Sequence, residues 1–320
     1  MRANKLDFPV GVRPPGLSTV QTTPEELSNA AFLFGAFPGS RPQAVRHAIA
    51  TQTPDTRYIF HTAFCCSTLL ARALDLPGKC LSLKEPDILM QLANAQRMGR
   101  GEGSVTTLRQ VETAFGEIGR SIEECVLVKP TNAANRLCSD MMANPSARAV
   151  VIHSDLRSFL LSIIRKGEEG RSFVRRLFNI FRMDHTFAQS LSDRDLFTLS
   201  DLQIAAFVWG MQCEQLNSAA ETAGQRMKSL HCDRFLEDPE AMLREVSGWL
   251  KLGFSDEDIS ASLARGVMKH NSKDEAQAYD ATVRKQDRAD AISQSLKSIE
   301  FVEDWAAKLP LPRSITIPSL

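Results

Sequence analysis

The residues best placed for chemistry fall at three points of the chain. They are the stretch YIFHTAFCCSTLLARALD, Tyr58 to Asp75, the pair Lys84 and Glu85 in LSLKEPDIL, and Lys129 in CVLVKPTN. The first reads as a buried strand that runs through a short turn into a helix. Such a turn holds phosphates with backbone N–H groups and the positive end of the helix dipole, whatever its side chains are. Ser67 and Thr68 add hydroxyls at the first helical turn, where they can donate to phosphate or sulfate oxygens. Yet the turn carries Phe64, Cys65 and Cys66 and has neither glycine nor lysine. The Gly-x-x-x-x-Gly-Lys-Ser/Thr pattern is missing and no strand ends in an aspartate placed for magnesium, so ATP or GTP hydrolysis is disfavoured. The alternative reading of this stretch is packing, with small residues at a crowded strand–helix crossing.

The elements that must position these residues follow from the pattern around them. RYIFHT, CLSL, CVLVK, ARAVVIHS and MKSLHC are candidate strands, nearly continuous in apolar character, which suits a parallel sheet buried on both faces. Between them lie helical stretches at Ser67 to Leu74, Asp87 to Arg97, Thr106 to Ile118, Ala133 to Met142 and Leu156 to Lys166, then a long helical region from Arg171 to Gly224. That alternation predicts an α/β protein: a three-layer doubly wound fold on a central parallel sheet of about five strands. Upstream, TPEELSNAAFLFGAF opens a helix with Thr23 as N-cap, Pro24 in the first turn and Glu26 completing a capping box. The expected organisation is one domain, with an N-terminal extension over 1–54, an α/β core over 55–260 and a helical segment over 261–320.

Composition narrows the partners. The 320 residues are 43% hydrophobic, enough for a sizeable core, and the 38 lysines and arginines match the 38 aspartates and glutamates. No net field points to nucleic acid, so any anion site is local. No apolar signal core or membrane-length stretch is visible, which predicts a cytoplasmic protein without membrane insertion. The cysteines number seven, an odd count without zinc-ligand spacing, and fit reduced thiols of the core better than a disulfide framework. Vicinal Cys65 and Cys66 invite a redox reading, but small-residue packing is favoured for them.

Three segments, in order, resemble the sulfotransferase family. HTAFCCSTLLARAL is similar to its 5′-phosphosulfate loop, with Cys65, Cys66, Ser67 and Thr68 standing for Ser-Gly-Thr-Thr and Phe64 standing where the family has a basic residue. VVIHSDLRSFLLSIIRKG resembles the 3′-phosphate segment: Ser162 takes the serine position, Ser154 replaces the arginine, and Arg157 lies near enough along the helix to serve the same phosphate. SLHCDRFLEDPEAMLREVSGWLKLGFSDEDI resembles a strand, acidic turn and leucine-rich helix that the family uses structurally. The resemblance brackets Tyr58 to Ile259. The Cys-Cys form of the loop looks like the habit of a divergent bacterial subfamily.

What the resemblance implies is a P-loop nucleoside triphosphate hydrolase-like fold and 3′-phosphoadenosine 5′-phosphosulfate as sulfuryl donor, with no metal. The acceptor would be a hydroxyl or amine on a small molecule or carbohydrate, and the oligomeric state stays open. Sulfuryl transfer needs a cation at the leaving oxygen, and with Phe64 in the loop the candidates are Lys84 and Lys129, each at the C-terminal end of a predicted strand. The Lys-Glu pair resembles one that supplies a base in carbohydrate sulfotransferases, which makes Glu85 the candidate general base; helix capping or pairing with Lys84 is its structural alternative. His61 and His153 end two strands, and His61 is a further acid–base candidate, although such a histidine is more often a satisfied core residue. Lys273 or Arg284, in a polar run with Lys269, His270, Ser272 and Lys285, would replace the missing arginine over the 3′-phosphate. The alternative function is a catalytically inactive protein on the same fold that binds a nucleotide or a partner.

Overall fold

The computed structural model describes residues 55–267 and 295–320. The helix expected at Thr23 and the polar run containing Lys273 and Arg284 lie outside the described residues.

All five expected strands form: β1 (Arg57–His61), β2 (Cys80–Lys84), β3 (Cys125–Lys129), β4 (Arg148–His153) and β5 (Met227–His231). They make one parallel sheet in the order β2-β3-β1-β4-β5. The continuous apolar runs are explained by burial on both faces. Tyr58, Phe60, Val126, Val128, Ala149 and Val151 enter one core, whereas the intervening Ile59, Leu127, Val150 and Ile152 enter the other. A period of two distributes each strand between two cores, and the buried polar residues in the middle of strands are the small Ser82 of β2 and Ser229 of β5.

The helices are α1 (Ser67–Ala73), α2 (Asp87–Arg97), α3 (Ser104–Ile122), α4 (Cys138–Met142), α5 (Leu156–Arg165), α6 (Gly167–Phe181), α7 (Thr186–Ser190), α8 (Asp193–Thr198), α9 (Asp201–Ala223), α10 (Cys232–Glu237), α11 (Pro239–Trp249) and α12 (Asp256–Ala264). Helices α1, α10, α11 and α12 cover one face of the sheet; α2, α3, α4 and the end of α9 cover the other. A third apolar cluster joins α5, α6, the first half of α9 and the helical stretch 295–306. The result is a three-layer α/β architecture. Among the described residues no helix is long and apolar enough to cross a membrane.

Two helical expectations change in detail. The long helical region from Arg171 to Gly224 is divided into α6, a 3-10 turn at Arg182–Asp184, α7, α8 and α9. Its breaks are set by local chemistry: His185 is extended at φ −125°, and Ser192 with Asp195 and Ser200 with Gln203 form capping boxes that start α8 and α9. The segment from Ala133 to Met142 begins as a 3-10 helix over Asn132–Leu137 and only then becomes α4. Helices α5 and α6 cross so closely that a Cβ on Gly170 would meet the Ile163 carbonyl oxygen at 2.6 Å, which is why glycine stands there.

The topology creates one crevice. After β1 the chain turns into α1 on one face, and after β3 it turns toward α4 on the other. Because β1 and β3 are neighbours, their connections separate at the C-terminal edge, the place where open α/β sheets bind ligands.

Candidate functional site

Each of the five strands ends on a lysine or histidine, namely His61, Lys84, Lys129, His153 and His231. The positions beside them are where the continuous apolar pattern stops, so the polar groups of the site sit on the rim of a rigid sheet.

The turn after β1 is held in an uncommon backbone. Ala63, Phe64 and Cys66 have φ of 64°, 50° and 62°, a left-handed region that side chains disfavour. Runs that mix left- and right-handed residues turn successive N–H groups toward one point and form anion-binding concavities. Cys66 is the N-cap of α1 and makes no side-chain capping bond; the Ser67 N–H at the first turn of that helix is turned to the Cys65 thiol. The turn is fixed from below. The Ala63 N–H donates to His61 Nδ1 (3.2 Å), His61 Nε2 lies 3.1 Å from the Pro130 carbonyl, and Asn135 Nδ2 donates to the His61 carbonyl (3.2 Å). With a bond on each ring nitrogen, buried His61 braces the turn, the structural alternative to its acid–base assignment.

Cys65 is fully buried, and its thiol donates to the Ile152 carbonyl at 3.1 Å. Burial, aided by neighbouring Cys66, pushes the thiol up to about 11, so Cys65 is a packing residue and a hydrogen-bond donor rather than a thiolate. Phe64 points away from the crevice into the third cluster, with its ring edge-on to Phe159 and Phe173 at centroid distances of 5.7 and 5.2 Å. Ser67 is buried and Thr68 half-buried at the start of α1.

Lys129 is the cation at the end of β3, the strand beside β1; it is only 1% exposed, and its charge is felt at the Cys65 thiol. Lys129 Nζ donates to Glu85 Oε1 at 2.6 Å, and the Glu85 N–H donates to the Lys129 carbonyl at 2.6 Å. Glu85 reaches this double pairing with a left-handed φ of 56° and remains half exposed. A buried lysine requires such a partner. Lys84 is engaged elsewhere: its Nζ lies 2.5 Å from Asp75 Oδ2, while Asp75 Oδ1 accepts the Ser82 N–H. Lys129 and Glu85 are therefore the cation–carboxylate pair, and Lys84 belongs to the junction between α1 and β2. Asp75 went unnoticed in the sequence because nothing local distinguishes it from a solvated helix end.

Beyond β4, buried Ser154 keeps a hydroxyl with no partner among the described residues, and its carbonyl accepts the Trp209 indole N–H at 3.1 Å. Arg157 is clasped by Glu303, with Nε to Oε1 at 3.1 Å and Nη2 to Oε2 at 2.5 Å. Glu303 lies 146 residues from Arg157 and carries no local signal that sequence reading could use. Ser162 spends its hydroxyl on the Ser158 carbonyl. A cavity of about 450 Å³ borders this segment, with Asp155, Arg157, Trp209 and Arg313 in its walls. A cavity of similar size, about 460 Å³, lies beside Arg57 and Cys125 at the opposite end of the strands, away from every candidate residue.

His153 and His231 pack edge to face at 5.3 Å. Burial and the His231 ring lower His153 to about 4, so it is neutral at physiological pH. Burial pushes the Asp155 carboxyl up, but bonds from His231 and from the Ser158 N–H and hydroxyl outweigh it and hold the group well below the usual carboxylate range. His231, Cys232 and Asp233 bring ligand atoms within 4.8 Å of one another. These atoms already serve the start of α10, where the Asp233 N–H donates to His231 Nδ1 and Cys232 Sγ lies 3.7 Å from Asp233 Oδ1.

No protein-family model and no curated protein sequence matches the chain. Among solved structures it is similar to the sulfotransferase domain from the curacin biosynthetic pathway, at 13% identity over 82% of this chain and 95% of that one, TM-score 0.45. It is also similar to a sulfotransferase from Mycobacterium tuberculosis H37Rv, at 13% identity over 81% of this chain and 78% of that one, TM-score 0.45. A sulfotransferase from Alicyclobacillus acidocaldarius aligns at 14% identity over 78% and 96% of the two chains, TM-score 0.37. A likeness this distant assigns no residue a role.

Proposed function

We propose that the protein binds 3′-phosphoadenosine 5′-phosphosulfate and transfers its sulfuryl group to a hydroxyl or amine. The observation that carries this reading is the turn Ala63–Cys66, left-handed at Ala63, Phe64 and Cys66, at the switch point of the sheet, with buried Lys129 ending the neighbouring strand β3. Strained non-glycine backbone persists where the surrounding structure over-determines it, and an anion cradle is a use that accounts for it. Ser67, Thr68 and the turn would hold the phosphosulfate end, and the unpartnered Ser154 hydroxyl fits a phosphate oxygen at the other end. Arg157 fits that second group only once Glu303 leaves its guanidinium.

When bound, the donor supplies a sulfur whose bond to the bridging oxygen breaks as the acceptor's oxygen or nitrogen attacks. Lys129 lowers the cost of negative charge on the departing oxygen, an electrostatic effect that a dry, fixed site makes large. Glu85, half exposed and held by Lys129, takes the proton that the acceptor loses. The test is release of adenosine 3′,5′-bisphosphate from the donor over a panel of hydroxyl and amine acceptors. Glu85→Gln should lower turnover at least a hundredfold, the usual scale of general-base loss, and should also lower the thermal midpoint, because it takes the counter-charge from the buried Lys129 ammonium. Unchanged turnover would remove Glu85 from the chemistry.

A second reading, binding without turnover, is favoured by one observation. The basic position of the loop is filled by Phe64, whose ring is packed between Phe159 and Phe173 and cannot be exchanged for a cation without repacking.

A further inference from the structure

A polar cleft of about 880 Å³ lies apart from the turn, between the 3-10 helix after β3, the start of α7 and the middle of α9. Its floor is a saturated network. Asp184, 3% exposed at its side chain, accepts from Arg97 at 2.6 Å, from Arg136 at 2.7 Å and from Gln215 Nε2 at 3.3 Å. Two wall atoms break that completeness. His185 is 7% exposed and its Nδ1 lies 2.5 Å from Glu214 Oε2, but its Nε2 has no partner among the described residues; neither has Gln215 Oε1. Buried polar atoms are ordinarily paired, so two orphans in the wall of one cleft point to a missing ligand.

The chemistry of the orphans names the ligand class. Glu214 can only accept, so in the neutral ring the Nδ1 proton faces it and Nε2 offers a lone pair. Gln215 Nε2 is given to Asp184, which fixes the amide so that Oε1 is the free atom, again an acceptor. With the ring neutral, both vacant positions ask for donors. The charge agrees: Glu102, Asp140, Asp184 and Glu214 line the cleft against Arg136 alone, and adding Arg97 behind Asp184 still leaves an excess of two negative charges. A sulfate, phosphate or carboxylate ligand meets the wrong sign there.

We infer that the cleft is a second binding site that takes a primary amine in its ammonium form, donating to His185 Nε2 and Gln215 Oε1. This inference is independent of donor binding at the turn.

The protein has six histidines, few enough for ring nitrogens to be followed one by one in 15N-histidine-labelled protein. His185→Gln assigns the signal. Titration with glucosamine and with 1,4-diaminobutane should move the His185 Nε2 resonance and saturate at millimolar concentration, the range expected of a small site with few contacts. Glu214→Gln should weaken that binding about tenfold or more, since it removes both a charge and the bond that orients the ring. Gln215→Ala, which leaves the histidine in place, should weaken it as well. A His185 resonance unmoved by about 10 mM of either amine, or moved as far by glucuronate or sulfate, would overturn the assignment.

Discussion

Cys66 occupies a backbone position that glycine fills without strain. With φ at 62° its side chain costs roughly 1 to 2 kcal/mol relative to the ordinary right-handed region, partly offset by the extra chain entropy that glycine would lose. Cys66→Gly should therefore leave stability unchanged or raise it by about 1 kcal/mol, and Cys66→Val, branched at Cβ, should lower it by more than 1 kcal/mol. Chemical unfolding of the two variants checks this. A valine variant as stable as the glycine one would mean that the turn is not left-handed at this residue. Residue types alone did not announce this conformation, because nothing in Ala63, Phe64 or Cys66 favours it. The bracing by His61 and Asn135 had to be seen. Lys129 was more legible, since a lysine ending an apolar strand has few reasons to be there; its partner Glu85 was legible only as one half of a pair with Lys84.

Helices α5 and α6 reach the turn through one side chain. The Phe64 ring lies against Phe159 of α5 and Phe173 of α6, contacts worth about 0.5 to 1.5 kcal/mol each beyond their buried area. Phe173→Ala should cost roughly 1 to 3 kcal/mol and, because the ring tethers the loop, should speed amide hydrogen exchange over residues 63–68 more than in β3. Equal protection of the loop in both proteins would show that the strand and α1 alone hold it. At this scale the sequence was mostly readable. Four strands fall inside their expected runs, β2 exceeds CLSL by Lys84 alone, and α2 has the expected limits, because both signals are periodic and long-range packing reinforces them. The region from Arg171 to Gly224 was read as a long helical region without internal limits, although Ser192 with Asp195 and Ser200 with Gln203 are capping-box signatures that mark new starts. Apolar periodicity continues across those breaks and masks them. Glu303 and Glu214 act on partners brought near only by the fold, and periodicity carries no such information.

For the whole molecule, the rim of the sheet links stability to acidity. The neutral His153 ring, titrating near 4 in place of 6.5, resists its own protonation by roughly 3 kcal/mol. A depressed folded value means that this stability is present above about pH 6.5 and is lost as pH falls toward 4, and Asp155, also depressed, extends the loss to lower pH. Thermal midpoints at pH 7 and at pH 4.5 should differ markedly in the native sequence and much less in His153→Gln. Parallel profiles would assign the acid sensitivity to other groups. On the same sheet, our proposed claim is that the crevice between β1 and β3 is an anion site completed by Lys129.

Calorimetric titration of the reduced protein with adenosine 3′,5′-bisphosphate, alongside ATP and the Lys129→Ala variant, tests that claim most directly. The account predicts selective binding of the bisphosphate, weakened at least tenfold by loss of Lys129, about the 1.4 kcal/mol or more that a charge-assisted contact contributes. Absence of binding, or binding that Lys129→Ala leaves intact, would contradict it.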